Sequence, residues 1–485
     1  MDSTIEQGPV VAAPAQPQPR LQRNALSLFE TVASTLANMA PAEGIFVAIG
    51  LTVSFMGSRA PWAFLLAMIA VFTCANTMSE FSRARPSAGS FVSFIANGIQ
   101  GYAPRAALFV STTCFVILML GYIISTASAV VFLGAWVQVL VPSLNWMVIS
   151  VVALLIVVPL LLRGVAVSTI LSFVMFLIEA VALSFLAVAI LFLAHGHITA
   201  PFTNAGGMPG FSGLALAFPI VVLGFVGWDN SGALAEETKQ PRRTVPITVF
   251  VSVFIVGMVY FLSSYSMIVG FAGLKLKDPL GALSVDPSPF LTVARNYLPW
   301  FLAVLGLVGV TSSAGYYIAS ATSQTRIIFH SGREGLLPAF FARVTTGAKP
   351  VPYVAVLSYI LLSLALIVLP GIWLNANDVF TYEATIGTVP VVLIYLLANV
   401  ALPLYFWKYQ RSAFNWFKHI VVPLIGVAVL ALPIWGFFAP NQPTPYNYFG
   451  WIFAGLLILS AAWGGYVFLK RRDAVKYLGS IVADE

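Results

Sequence analysis

The sequence predicts an all-α, polytopic membrane protein with twelve transmembrane helices, and three observations carry that prediction. First, 59% of its 485 residues are hydrophobic, only 8% are charged and the mean hydropathy is +0.93; a soluble domain carries roughly 25% charged residues. Second, the apolar residues form long continuous runs, as spanning helices require, where an outer-membrane barrel would show short alternating segments. Third, the basic residues segregate. Of the 24 Lys and Arg, all but Arg59, Lys275, Lys277 and Arg295 fall in the termini and in alternate loops. By the positive-inside rule that set, with both chain ends, faces the cytoplasm and the protein sits in the cell membrane. The net charge of +7 belongs to these loops, so it gives no reason to expect a nucleic-acid partner.

The chain opens with a Pro-, Ala- and Gln-rich stretch that lacks a long apolar core. Residues 1–24 therefore read as a disordered cytoplasmic tail and not as a cleaved signal. A window of about 19 residues then gives the spans: Leu26–Ser54, Pro61–Phe81, Ala106–Val137, Trp146–Leu162, Ser168–Ala194, Leu214–Glu237, Pro246–Phe271, Trp300–Ile328, Tyr353–Leu369, Val379–Trp407, Ile420–Phe438 and Tyr448–Leu469. Cys74 and Cys114 lie inside spans and read as packing residues without a disulfide framework. The loop "LKLKDPLGALSVDPSPF" (Leu274 to Phe290) is long enough for a cap or a short surface helix on the outer side. His195 and His197 stand two apart in an outer loop and read as solvated residues, not metal ligands. No phosphate loop, zinc spacing or catalytic triad is present, so neither a cofactor, a metal site nor an enzyme is expected.

Spans one and six are interrupted. In "NMAPAEGIFVAI" Glu43 follows Pro41 and precedes Gly44; in "LGFVGWDNSGALAEET" Asp229 is flanked by Gly227, Asn230, Ser231 and Gly232. A charge at a helix centre in the bilayer costs roughly 2.5–3.5 kcal/mol, so these acids require a reason. Spans one and six are five apart. If spans 1–5 and 6–10 are inverted repeats, the two breaks correspond. Paired broken helices near the midplane mark the binding site of a secondary transporter. At such a break, backbone N–H and C=O groups lose their helical partners and become available to a ligand. The N-terminal ends of the half-helices suit anions and the carbonyl ends suit cations. A proline kink with a capping acid explains one break alone, whereas two in register favour a site. The rival from another class, a channel, needs a continuous polar path, and the spans show isolated breaks.

At this point the chain resembles the amino acid–polyamine–organocation transporter superfamily. "APAEGIF" (Ala40 to Phe46) stands where that family has its small-residue break in span one. "RARPSAGSFVSFI" (Arg83 to Ile95) matches its loop after span two, and "GWDNSGALAEETKQPRRTVP" (Gly227 to Pro246) its broken span six with a basic exit. "SQTRIIFHSGREGLLPAFFARV" (Ser323 to Val344) matches its end of span eight. The resemblance implies a five-plus-five inverted repeat, the leucine-transporter-like fold: 25–198 for the first repeat, 199–410 for the second, 411–470 for spans eleven and twelve, and 471–485 for a cytoplasmic tail. It implies secondary transport of an amino acid, polyamine or related amine by symport with H+ or Na+ or by exchange, from a monomer or homodimer in the lipid bilayer.

Two departures bear on the substrate. Relatives that carry α-amino acids have a small-residue trio at the first break, which leaves backbone N–H groups free for the substrate carboxylate. Here Glu43 stands in that trio, where a carboxylate repels another carboxylate unless it is protonated. "GWDN" in span six is similar to the polyamine-carrying branch. The expected substrate is therefore a cationic amine or polyamine, with a neutral or aromatic amino acid as the alternative. The second departure is the missing lysine early in span five, which removes the family's usual argument on coupling. Glu43, Glu179, Asp229 and the span-eight hydroxyl of Ser320 are the coupling candidates that remain.

The resemblance assigns substrate contact to Ala40, Pro41, Glu43, Gly44 and Ile45 at the first break and to Gly227, Trp228, Asp229 and Asn230 at the second. It adds Tyr316, one helical turn from Ser320 on span eight. Trp228 is also a gate candidate, since a cation–π contact suits an amine; ordinary helix packing is the other reading. Glu179 is either a proton relay or a group bonded within the bundle. Glu383, with Tyr382, opens span ten on the outer side and is the outer-gate candidate. Glu236 and Glu237, near Lys239, Arg242 and Arg243, read as inner ion-pair latches or solvated charges. Arg326 and Arg333 read as the cytoplasmic face.

Overall fold

A computed structural model describes residues 21–208, 211–346, 349–438 and 444–483. Among the described residues the protein is helical throughout. The helices are α1 (Leu28–Ala37), α2 (Pro41–Met56), α3 (Ala60–Ala84), α4 (Ser90–Gln100), α5 (Pro104–Leu140), α6 (Trp146–Leu161), α7 (Val165–Leu193), α8 (Phe211–Leu223), α9 (Asn230–Ala233), α10 (Pro241–Gly273), α11 (Pro279–Val285), α12 (Pro289–Tyr297), α13 (Leu302–Arg333), α14 (Tyr353–Gly371), α15 (Ala376–Tyr409), α16 (Val422–Phe437) and α17 (Phe449–Lys470). Nine segments of the described residues are long and apolar enough to cross a membrane. The first of them, Leu28–Ala84, carries α1, α2 and α3; Trp146–Leu161 and Ser212–Val222 are apolar but shorter.

Burial sorts the helices. The most apolar window of α5 is 72% buried, whereas those of Phe417–Phe437 and Tyr446–Lys470 are only 22% buried. Large apolar side chains such as Leu424, Trp451 and Leu459 stand exposed on α16 and α17, as lipid-facing positions do. The central α5 lies close against α15 because glycines meet there. A Cβ on Gly121 would sit 2.7 Å from the Gly387 carbonyl, and one on Gly387 would sit 2.5 Å from the Ser125 nitrogen. Without a hydrophobic drive between helices in lipid, such close backbone approach supplies the packing energy.

The long loop at 274–290 does fold, into α11 and the start of α12. Phe290 packs on Phe46 of α2 with ring centroids 4.7 Å apart. At the opposite end of the bundle the chain termini dock. Residues 1–20 of the expected tail lie outside the described residues, but Leu21 is buried against Phe329 and Ala342. The expected C-terminal tail is likewise held: Leu478, Val482 and Ala483 are buried, Gly479 N–H donates to Glu334 Oε1 at 2.8 Å, and Ala483 N–H donates to the Pro86 carbonyl at 2.9 Å. Apolar residues in both segments find a surface to cover, so neither is a freely solvated tail where it is described.

Candidate functional site

The first break lies three residues before the place the sequence suggests. The helix stops at Ala37, the chain crosses at Asn38–Ala40 with Ala40 at φ +42°, and α2 begins at Pro41. Proline belongs at the first position of a helix, where its missing N–H is not needed and its fixed φ already fits. Pro41, Glu43, Gly44 and Ile45 are therefore the opening turn of a half-helix, not the interruption. The second break falls where expected. α8 ends at Leu223, residues 224–229 are turns, and Gly227 sits at φ +107°.

The two breaks touch. Asn38 Nδ2 donates to the Gly227 carbonyl at 2.9 Å, and Ser320 of α13 donates to Asn38 Oδ1. Asn230 Nδ2 donates to Ser34 Oγ of α1 at 2.9 Å. Tyr260 of α10 donates to the Gly224 carbonyl at 2.6 Å and lies 3.4 Å from the Met39 carbonyl. The carbonyls of Met39, Gly224 and Gly227 are thus met by two side chains, Asn38 of the first break and Tyr260 of α10, and such pairing is how non-helical backbone survives at membrane depth.

The amide end of the first break is also occupied. Ala42 N–H donates to Glu179 Oε2 of α7 at 3.0 Å, and Glu43 N–H donates to Ser312 Oγ of α13 at 3.1 Å. Glu179 faces the bundle interior, 1% exposed, and its carboxylate acts as the N-terminal cap that α2 lacks in its own sequence. Glu43 is buried, and its Oε2 has no hydrogen-bond partner among the described residues. Asp229 is held from the other side: the hydroxyls of Tyr122 (α5) and Tyr395 (α15) both donate to it, the latter at 2.8 Å. No hydrogen bond among the described residues links Asp229 to Glu43. The two acids serve separate networks.

The remaining candidates divide. Tyr316 is only partly buried, with its hydroxyl 3.4 Å from Ser125 Oγ. Trp228 is 1% exposed and packs on Phe91 and Tyr395, with centroids 5.8 and 5.2 Å away. Ile45 lies in the core, and Glu383 of α15 is buried with both carboxylate oxygens lacking hydrogen-bond partners among the described residues. His195 and His197 are exposed, and no group of three or more metal-ligating side chains occurs among the described residues.

An aromatic row starts from the first turns of α2. Phe46 stacks on Trp136 at 5.3 Å, Trp136 on Phe132 at 5.7 Å, and Phe132 packs on Phe380 at 5.3 Å. At the face that carries the chain ends, buried charges pair. Arg326 donates to Glu237 at 2.9 Å, and Arg333 grips Glu236 through two bonds at 2.9 and 2.5 Å. Leu26 and Thr238 form a parallel bridge alongside, with Leu26 N–H donating to the Glu237 carbonyl at 2.9 Å. The two glutamates are thus latched to α13 and not to the adjacent Lys239, Arg242 or Arg243, and Arg326 is buried instead of lying on a solvated face. A buried carboxylate needs a partner that is itself desolvated, which flexible neighbours in sequence do not supply.

The comparisons agree with this architecture. The family profile described as Amino acid permease matches residues 26–461. The low-affinity putrescine importer PlaP of Escherichia coli (strain K12) is 24% identical over 423 residues, covering 83% of this chain and 86% of its own. Amino-acid permease AapA of Bacillus subtilis (strain 168) is 23% identical over 80% of this chain and 83% of its own. The D-serine/D-alanine/glycine transporter of Escherichia coli (strain K12) is 25% identical over 63% of this chain and 65% of its own. These are transporters, not enzymes. With the matched region spanning both breaks, this multi-pass membrane protein belongs to the amino acid permease family of the amino acid–polyamine–organocation superfamily.

Proposed function

We propose that the protein is a secondary active transporter that moves a small cationic amine across the cell membrane by alternating access around the two breaks. One observation carries the choice of substrate. The first-turn N–H groups of α2, which would receive a substrate α-carboxylate, are already taken by Glu179 and Ser312, while Glu43 Oε2 beside them is buried without a partner among the described residues. A buried unpaired carboxylate oxygen is costly, and an ammonium group relieves that cost. The site is therefore built to receive a donor, not an acceptor. That a similar protein is named a putrescine importer supports the same reading.

The fold reading follows. Counting Leu28–Ala84 as two spans and adding the shorter α6 and α8 to the remaining segments supports twelve crossings, which we read as two inverted halves with both termini cytoplasmic. The aromatic stack then closes the outer path and the Arg–Glu pairs the inner one. Symport and exchange both fit this frame. Glu179 caps Ala42, the residue before Glu43, and these two acids are read as the pair that exchanges a proton; the Ser320 hydroxyl donates to Asn38 and keeps its lone pairs for a cation. An amino acid permease for small neutral substrates is the second reading, favoured by the relatives that carry such names.

Ligand binding stabilises the native state by mass action, so thermal unfolding of the purified protein separates the two. Putrescine is expected to raise Tm in a concentration-dependent manner while alanine and glycine do not. Glu43→Gln is expected to remove that rise. A rise with alanine and none with putrescine overturns the amine assignment.

A further inference from the structure

The stack Phe46–Trp136–Phe132–Phe380 runs between two helices that each place a carboxylate one turn from its last ring. On α2 that carboxylate is Glu43, three residues before Phe46. On α15 it is Glu383, three residues after Phe380. Residues three and four apart share a helix face, so each acid lies beside one end of the aromatic row. The lower boundary joins the same two ends. Gly387, one turn beyond Glu383, lies against Ser125 of α5; Ser125 meets the Tyr316 hydroxyl at 3.4 Å; and Tyr316 stands one turn along α13 from Ser312, which accepts from the Glu43 N–H. Gly44, Phe46, Ser125, Phe132, Tyr316 and Ala384 along these two paths are partly exposed, as residues lining a compartment between helices would be.

Glu383 has no role in the interior as it stands. It is 7% exposed, and neither oxygen has a hydrogen-bond partner among the described residues. Buried polar groups in native proteins are overwhelmingly satisfied, and an exception calls for a cause. Unlike Glu179 and Asp229, which hold a backbone N–H and tyrosine hydroxyls, Glu383 holds no group among the described residues. It shares this condition with Glu43 Oε2 at the other end of the compartment.

We propose that Glu383 is a specificity-determining residue that binds the second ammonium group of a linear diamine whose first ammonium is held at Glu43. The aromatic row covers the methylene chain between them, and its ring faces suit the cationic ends. The inference rests on the amine reading above and extends it: the chain selects substrates by the presence and spacing of two positive charges. A monoamine leaves Glu383 unpaired, and an α-amino acid brings a carboxylate toward it.

The test measures binding of butylamine, putrescine and cadaverine to the full chain in detergent, with wild type, Glu383→Gln and Glu383→Asp. In wild type, putrescine or cadaverine is expected to bind roughly 10- to 100-fold more tightly than butylamine, the range of one charge-assisted hydrogen bond. In Glu383→Gln that ratio is expected to fall to about one. Glu383→Asp keeps the charge but withdraws it by one methylene, so the preference should move toward the longer diamine. A wild type that binds butylamine as tightly as the diamines refutes the second-ammonium role and leaves the amine reading standing. Failure of the wild type to bind any of the three refutes both. Unchanged preference in Glu383→Gln, or an equal loss for all three amines, also overturns the assignment, the latter because it marks Glu383 as merely structural.

Discussion

Gly227→Ala is expected to abolish transport and to lower stability more than any other glycine-to-alanine change at the site. Gly227 has φ +107°, a region closed to residues with a side chain, and a Cβ there would sit 2.1 Å from the Asn38 carbonyl oxygen and 2.9 Å from its Nδ2. Neither obstacle can move freely. The carbonyl is backbone, and the side-chain amide is the group that joins the two breaks. Backbone strain and overpacking together correspond to a loss of roughly 2–6 kcal/mol. Gly455→Ala is the control, because nothing lies within 4 Å of its Cβ position on α17. Thermal unfolding of the two purified variants checks the expectation, and equal melting temperatures would show that the contact between the breaks does not organise the site.

Arg326→Ala is expected to be the most damaging single change at the face that carries the chain ends. Its guanidinium and the Glu237 carboxylate are each 2% exposed, and the arginine also donates to the Thr322 carbonyl at 2.8 Å. Removing one member of a buried pair leaves the other charge desolvated and costs about 3–5 kcal/mol. Removing both costs less than the sum, because no charge is stranded. The double variant Arg326→Ala/Glu237→Ala should therefore be more stable than either single one predicts by addition, and a thermodynamic cycle reads the coupling. Additive effects would show that the pair is not a latch. The single variants should also expose the inner path, which a thiol-reactive probe against a cysteine placed at Ser34 reports.

The sequence made the breaks visible because they depart from the surrounding chemistry. Pro41, Glu43, Gly227 and Asp229 stand in runs that are otherwise apolar. It displaced the first break by three residues for an understandable reason: proline reads as a breaker, yet at a helix start it is a good fit, and the true turn at Asn38–Ala40 offers only Asn38 as a turn former. The partners of the acids were not legible. Tyr122 and Tyr395 reach Asp229 from 107 and 166 residues away in the chain, and a tyrosine in an apolar helix reads as packing. Its hydroxyl is the one available clue, since a buried hydroxyl needs a partner. Glu179 looked like an isolated acid because its partner is backbone N–H, which every residue has. The partners of Glu236 and Glu237 were not legible, because Lys239, Arg242 and Arg243 are near in sequence while Arg326 and Arg333 are near in space. The docked C-terminal segment carried only its apolar residues Leu478, Ile481 and Val482 as a signal.

Counterflow in proteoliposomes tests the transporter and its substrate together. Vesicles containing the full chain are loaded with unlabelled putrescine and diluted into labelled putrescine, with Glu43→Gln and empty vesicles alongside. A carrier working around the paired breaks gives a saturable, transient accumulation of label in the wild type, and Glu43→Gln gives little more than empty vesicles. Label that enters without saturation or overshoot would contradict alternating access, and counterflow of alanine with none of putrescine would contradict the amine site at Glu43.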